Sequence, residues 1–307
     1  MTDAANSTLT LVPGIRVGHH TQPGGRTGST VILGPENGML ASGLVLGGGP
    51  ASREYALLDP ARMMQRIDAL VLTGGSAFGL AAADGVMRWL IENGRGFSTM
   101  GGLVPIVPAA AIFDLMVATD GVRPDAETGY RAAAAASSAP VAEGRVGAGA
   151  GATAGAYLGF DKAVRTGIGS HAVQLEVAGG TATVGALVVA NPAGDIVSAT
   201  DGRLLAGQGL PLPEIGRLLS GYPDRQNTTL VAVATDAPLL KSEAAALAVS
   251  AHAGLARAVR PSHTPFDGDT AFVVSTGLGP AVPAAALSVL VQEAVTVALQ
   301  RAAVAGQ

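Results

Sequence analysis

Asn227-Thr228-Thr229 stands between a polar, turn-prone run, Asp224-Arg225-Gln226, and an apolar, β-rich one, Leu230-Val231-Ala232-Val233-Ala234-Thr235. The Asn227-Thr228 peptide bond is therefore expected at the mouth of a buried strand, an unusual place for two consecutive threonines. Attack of the Thr228 hydroxyl on the Asn227 carbonyl would turn the amide into an ester, and water would then release Thr228 as a new amino terminus. Its α-amine, with an ordinary pKa of about 7.7 to 8.0, would sit beside its hydroxyl as a built-in base. The same residues fit two plainer readings: turn formers ahead of a strand, and an Asn-x-Thr glycosylation acceptor.

Other residues have chemistry to offer. Asp267-Gly268-Asp269-Thr270 precedes the last expected strand, 271–276. Two carboxylates at that spacing suit a hard cation, an Asx turn or a seat for an ammonium group, but no further ligands complete a calcium loop. His263, close by, reads as a structural hydrogen-bonder. Asn191 ends a strand before Pro192 and is either a turn former or an amide donor aimed into a site. Gly74-Gly75-Ser76-Ala77-Phe78-Gly79 joins a strand to a helix, but its second elbow glycine falls one position late for Gly-x-Ser-x-Gly. A tight turn is the main reading there, with Ser76 kept as a substrate contact. Gly147, Gly149 and Ala152 meet a loose dinucleotide pattern. No clear strand precedes them, Glu176 is unsuited to a ribose, and no Gly-Lys-Ser/Thr ending follows, so both nucleotide readings fail. Close approach of backbone to another segment or to substrate explains the run better.

The elements that must position these residues follow from pattern. Strands are expected at 29–33 and 43–46, joined as a hairpin through 34–38, and a short buried strand at 69–72. A helix is expected over 77–93 with Gly94 as its C-cap. The Pro-bounded stretch 104–108 reads as a strand entering a helix or turn over 109–115, and Asp125 opens an Ala-rich helix to 138. Strands at 173–177 and 181–189 pair across Ala178-Gly179-Gly180, and a helix fills 237–258. The longest apolar segment, 281–298, is interrupted by Pro283, Gln292 and Glu293 and reads as a buried or interface helix, not a membrane span.

Composition narrows the classes. A chain of 307 residues buries roughly three quarters of its unfolded surface, and no linker divides it. Charged residues make up 14% and apolar ones 48%, against about 25% charged in an average soluble protein. A surface this poor in charge is expected to be covered partly by other copies of the chain, as a homo-oligomer. The net charge of −4 and the absence of any Lys/Arg run leave no footprint for nucleic acid or an anionic membrane. No basic region followed by an apolar one opens the chain, so a cytoplasmic location is expected and the glycosylation readings lose their basis. The lack of cysteine excludes disulfides, thiol catalysis and thiolate metal sites.

Six stretches in the same order carry a resemblance: Gly14-Ile15-Arg16-Val17-Gly18-His19, Leu72 to Leu80, the Gly144 to Gly155 run, Asn191-Pro192, Asn227-Thr228-Thr229 and Asp267-Gly268-Asp269-Thr270. Over most of its length the chain resembles the L-aminopeptidase/D-esterase family of self-processing N-terminal-nucleophile hydrolases. Its Asn-Thr-Thr site looks most like the nylon-oligomer hydrolase branch. The resemblance implies an α+β fold, a four-layer αββα sandwich, in a single hydrolase domain over 1–307 cut into a large fragment 1–227 and a small one 228–307. It implies Thr228 as nucleophile, Asn191 as the amide that stabilises the oxyanion, and Asp267 and Asp269 as the acidic pair near the new terminus. It further implies cleavage of small amides or peptides, no metal or cofactor, and a homo-oligomer, a tetramer.

Two positions depart from the family. Where the nylon-oligomer hydrolase carries a lysine after the glycine-rich run, this chain offers Ala156 or, on another alignment, Arg165, with Lys162 the nearest lysine; arginine keeps the charge but cannot act as a base. Where relatives carry a tyrosine, this chain has Phe113, expected to wall a substrate pocket. The alternatives are acyl transfer of the ornithine-acetyltransferase type and a non-catalytic, ligand-binding descendant.

Overall fold

The structure is a computed structural model describing residues 6–220 and 226–307; Asp224 and Arg225 of the turn-prone run lie outside the described residues. In chain order the strands of the two main sheets are β1 (Arg16–Thr21), β2 (Gly28–Leu33), β3 (Met39–Val45), β4 (Ala51–Arg53), β5 (Arg66–Ile67), β6 (Ala69–Thr73), β7 (Ala109–Ala111), β8 (Ile168–Val177), β9 (Gly180–Val189), β10 (Leu230–Thr235) and β11 (Thr270–Ser275). The helices are α1 (Ala82–Glu92), α2 (Ala126–Ala134), α3 (Leu212–Ser220), α4 (Lys241–Ala256) and α5 (Ala284–Ala305). One sheet runs β1-β2-β6-β7-β4 and the other β8-β9-β10-β11-β3-β5.

Side-chain alternation divides the core into three. Ile32, Leu70, Leu72 and Ala110 of the first sheet meet Leu187, Leu230, Ala232 and Phe272 of the second, so the sheets pack face to face. The other face of the first sheet, through Val31, Leu33, Ala69 and Val71, buries Ala82, Val86 and Leu90 of α1 and Ala132 and Ala133 of α2. The outer face of the second sheet packs Val184, Ala186, Val231 and Val233 against α4 and α5. The result is the expected four-layer αββα sandwich. Every residue of β2 and β10 is buried, so neither shows polar-apolar alternation; the polar Ser29 and Thr30 of β2 spend their hydroxyls on Thr73 and on the His19 ring. By length and composition α5 would suffice to cross a membrane, yet half of its most apolar window is buried inside the fold, where Ala294, Ala298 and Ala302 pack in the core it shares with α4.

Four local expectations are corrected. The two early strands do not form a hairpin: β2 pairs with β1 and β6 in one sheet, while β3 pairs with β11 in the other. Residues 34–38 thus carry the chain between layers, with Gly38 at φ 74°. Ala109 to Ala111 form a strand, not a helix or turn, because they are fully buried and pair with β6 on one side and β4 on the other. Here tertiary packing overrules the helical propensity of alanine. The first long helix begins as a 3-10 turn over Ser76–Ala81, and the Ala-rich helix ends at Ala134, although its Asp125-Thr128 capping box is present.

Register makes the site. Strand β10 lies antiparallel to β9, with Leu230 opposite Val189, and parallel to β11, with Leu230 opposite Thr270. The end of β9 and the starts of β10 and β11 therefore meet at one edge, which brings together Asn191, Thr228 and the Asp267-Gly268-Asp269 turn.

Candidate active site

Thr228 is buried, 3% exposed. Its N–H donates to the Asn191 carbonyl at 2.9 Å, and its Oγ1–H donates to the carbonyl of the preceding residue, Asn227, at 2.5 Å. The Asn227 carbonyl also accepts the Gly268 N–H at 2.8 Å. Asn227 and Asp267 form an isolated parallel bridge, so the peptide bond before Thr228 is held as a strand is held, with its nucleophile already against its own carbonyl.

The two acids are tied down by donors. Asp269 Oδ1 accepts the Thr229 N–H at 2.7 Å, and its Oδ2 accepts from His263 Nδ1 at 2.8 Å and from the His263 N–H at 3.3 Å. Asp267 Oδ1 accepts the Ala193 N–H at 3.1 Å, and its Oδ2 accepts from the Thr264 N–H at 2.9 Å and the Thr264 hydroxyl at 2.6 Å. Burial, and after it the Asp269 charge, pushes Asp267 up to about 6 from 3.8. Burial pulls His263 down, but its hydrogen bond to Asp269 and that carboxylate's charge outweigh it, so its pKa is raised. His252, whose ring lies 4.8 Å from that of His263, is lowered by burial. The sequence marked His263 only as a lone histidine. The signal was its spacing from Asp269 across a turn, with His263 itself at φ 53°.

A carboxyl whose folded pKa lies above its ordinary value binds a proton on folding, so its ionisation costs stability as pH rises through that window. For Asp267 the window runs from 3.8 to about 6. Asp267→Asn loses an acceptor at every pH, which sets a constant offset. Relative to the parent it is expected to gain on the order of 2 kcal/mol between about pH 4 and about pH 7, as read from urea unfolding at both ends.

Asn191 is fully buried. Its Oδ1 accepts the Thr153 N–H at 3.0 Å and its Nδ2 donates to the Phe113 carbonyl at 3.3 Å. The Phe113 ring is half-buried, 5.9 Å from that of Phe160. Ser76, at φ 55°, donates its N–H to the Ile112 carbonyl at 2.9 Å, one residue from Phe113. Gly149 is buried, and a Cβ there would fall 2.6 Å from the Ile168 nitrogen, so it serves close packing of two backbones. Arg165 turns its guanidinium to the Ala150 carbonyl, and Lys162 is exposed. A groove of about 630 Å³ opens elsewhere, lined by Met63, Arg66, Phe97 and Ile106, and Thr228 does not line it.

Asp114, beside Phe113, organises the neighbouring corner. Its Oδ1 accepts the Gly75 N–H at 2.7 Å, and Cβ atoms at Gly74 and Gly151 would fall 2.2 and 2.4 Å from its Oδ2. The Gly-Gly-Ser turn and the glycine-rich run thus close on one buried carboxyl. Gly74→Ala is expected to cost about 1 to 3 kcal/mol by overpacking, measured by urea unfolding.

The chain superposes on a β-aminopeptidase from a Burkholderia species with a TM-score of 0.75 and 28% identity, over 99% of this chain and 88% of that one. It superposes on the L-aminopeptidase D-Ala-esterase/amidase of Ochrobactrum anthropi, a variant of the N-terminal-nucleophile hydrolase fold, with a TM-score of 0.74 and 20% identity, over 100% and 89%. The four layers thus form an N-terminal-nucleophile hydrolase fold. In sequence, residues 7–306 match peptidase family S58, and the chain belongs to that family. It is 42% identical over 293 residues to an uncharacterised aminopeptidase of Mycobacterium bovis, covering 88% of this chain and 82% of that protein. It is 29% identical over 278 residues to the 6-aminohexanoate-oligomer endohydrolase of Paenarthrobacter ureafaciens, covering 86% and 73%. The protein is a hydrolase of peptide or amide bonds.

Proposed function

We propose that the chain cuts itself between Asn227 and Thr228 and that Thr228, as the new amino terminus, then attacks small amides or peptides through an acyl-enzyme. The observation that carries this reading is the 2.5 Å contact from the Thr228 hydroxyl to the Asn227 carbonyl. The fragments 1–227 and 228–307 stay together as one protomer, because β10 pairs with β9 and β11 pairs with β3, each joining the small fragment to the large one within the second sheet. After the cut, the α-amine of Thr228 is the base for its own hydroxyl, Asp269 fixes the next peptide unit through the Thr229 N–H, and the Asn191 amide stabilises the oxyanion formed on substrate. Phe113, whose ring lies 5.9 Å from that of Phe160, and Ser76 are assigned to substrate contact. The chemistry assigns no step to a metal or cofactor.

The substrate class is a short linear amide, either an amino-terminal residue of a peptide or an oligoamide such as the 6-aminohexanoate oligomers for which one relative is named. Release of free amine from a panel of peptide amides and 6-aminohexanoate oligomers tests it; acetyl transfer to glutamate outrunning hydrolysis would contradict it in favour of an acyltransferase. The protein acts in the cytoplasm, as a homo-oligomer, a tetramer. Support for assembly comes from Phe97, Met100, Leu103 and Val104, all exposed on the hairpin formed by Phe97–Thr99 and Gly102–Val104. Light scattering that returned a monomer at micromolar concentration would contradict it.

A further inference from the structure

The Asn227 carbonyl has two donors, the Thr228 hydroxyl that is to attack it and the Gly268 N–H at 2.8 Å. Among the described residues the Asn191 carboxamide makes no hydrogen bond to that carbonyl: its Oδ1 accepts the Thr153 N–H and one of its two amide N–H groups donates to the Phe113 carbonyl, which leaves the other for a substrate. We infer that the Gly268 backbone N–H is the oxyanion donor of the self-cleaving step, and that the Asn191 amide is reserved for external substrates. This rests on the reading of Asn227-Thr228 as the cleaved bond.

A useful donor sits about 2.7 to 3.1 Å from where the oxyanion forms and needs no reorganisation when it does. Gly268 meets both conditions. On one side Asp267 is anchored to Ala193 and Thr264, and on the other Asp269 is anchored to Thr229 and His263. The turn is also strapped to the preceding loop, where the Gly49 N–H donates to the Asp267 carbonyl at 2.9 Å and the Leu46 N–H to the Asp269 carbonyl at 3.1 Å. The two carboxylates thus lock the direction of the N–H between them, which gives the Asp-Gly-Asp spacing a purpose beyond charge. Glycine is required at the centre: a Cβ at 268 would stand 2.7 Å from Thr228 Oγ1 and 2.8 Å from the Gly49 carbonyl oxygen.

The step balances within the chain and water. Thr228 Oγ bonds to the Asn227 carbonyl carbon, and the carbonyl electron pair moves onto its oxygen against the Gly268 N–H. Collapse breaks the bond to the Thr228 nitrogen, which takes up the proton released from Oγ. The ester between Asn227 and Thr228 Oγ then adds water, giving the Asn227 carboxyl and restoring the hydroxyl.

Cell-free translation, sampled over time on denaturing gels, follows the cut. Two variants are informative, each scored once circular dichroism reports the parental fold. Asn191→Asp keeps an acceptor for the Thr153 N–H and removes the amide donor; it is expected to cut at the parental rate while substrate turnover falls about 100- to 1000-fold. Glycolate at 268, introduced by nonsense suppression, replaces only the N–H by oxygen and is expected to slow the cut about 100- to 1000-fold. A folded Asn191→Asp chain that stays whole, or a glycolate chain that cuts at the parental rate, overturns the assignment to Gly268. A parental chain that stays whole overturns the cleavage reading itself, so the two failures are distinguishable.

Discussion

A Thr228→Ala chain is expected to remain one uncut polypeptide and to hydrolyse amides at least about 10⁴-fold more slowly than the parent, the scale of loss when a hydrolase nucleophile is removed. Among the described residues the hydroxyl is the only reactive group on the Asn227 carbonyl, since the other partner there is a backbone N–H. The fold should tolerate the change. In the uncut chain, among the described residues, Thr228 Oγ1 has its hydrogen bond to Asn227 alone, and Asn227 keeps the Gly268 N–H, so the stability cost is about 1 kcal/mol for the hydrogen bond and about 1 kcal/mol for the buried methyl lost with it. Thr228→Ser retains the hydroxyl and is expected to cut and to turn over. Electrophoresis and amine release on the three proteins separate a missing nucleophile from a damaged fold.

Asp269→Ala has the largest expected effect on stability, a loss of about 3 to 5 kcal/mol, as for removal of one partner of a buried pair. The change strands the Thr229 N–H and leaves His263 without the carboxylate that holds it. Asp269→Asn divides these roles, because its oxygen still accepts the Thr229 N–H while its charge is gone. The raised pKa of His263 means that its bond to Asp269 stabilises the fold fully below the ordinary histidine pKa and is lost as pH rises through the folded value. Asp269→Asn is therefore expected to cost more at about pH 5.5 than at about pH 8.5. Removing the charge also lets Asp267 ionise more easily, which favours the variant at the higher pH and acts in the same direction. Urea unfolding at both pH values checks the order; an equal cost at both would show that the pair carries no charge in the fold.

Much of the site was legible because local chemistry and strand grammar coincided. A polar run against an uninterrupted apolar one placed the Asn227-Thr228 bond at a strand mouth, and the uninterrupted run marked a strand buried on both faces, which β10 is. What local pattern could not supply was the crossing of the chain between sheets. Gly34 to Gly38 looks like a hairpin turn, and only the layering of the core decides that β3 pairs with β11 instead of β2. For the same reason the meeting of Asn191, Thr228 and Asp267-Gly268-Asp269 came from the order of motifs and not from any spacing, since it depends on β10 pairing antiparallel on one side and parallel on the other. Asp114 and His263 were invisible or bland as single residues. Each gains its role from what folds against it, two glycines in one case and Asp269 in the other.

The most direct measurement is denaturing mass spectrometry of purified protein with amino-terminal sequencing, run beside Thr228→Ala. The expected result is two fragments from the parent, one ending at Asn227 and one beginning at Thr228, and one whole chain from the variant. A parent that stays whole after it has folded, or a cut at another bond, would contradict Thr228 as an N-terminal nucleophile.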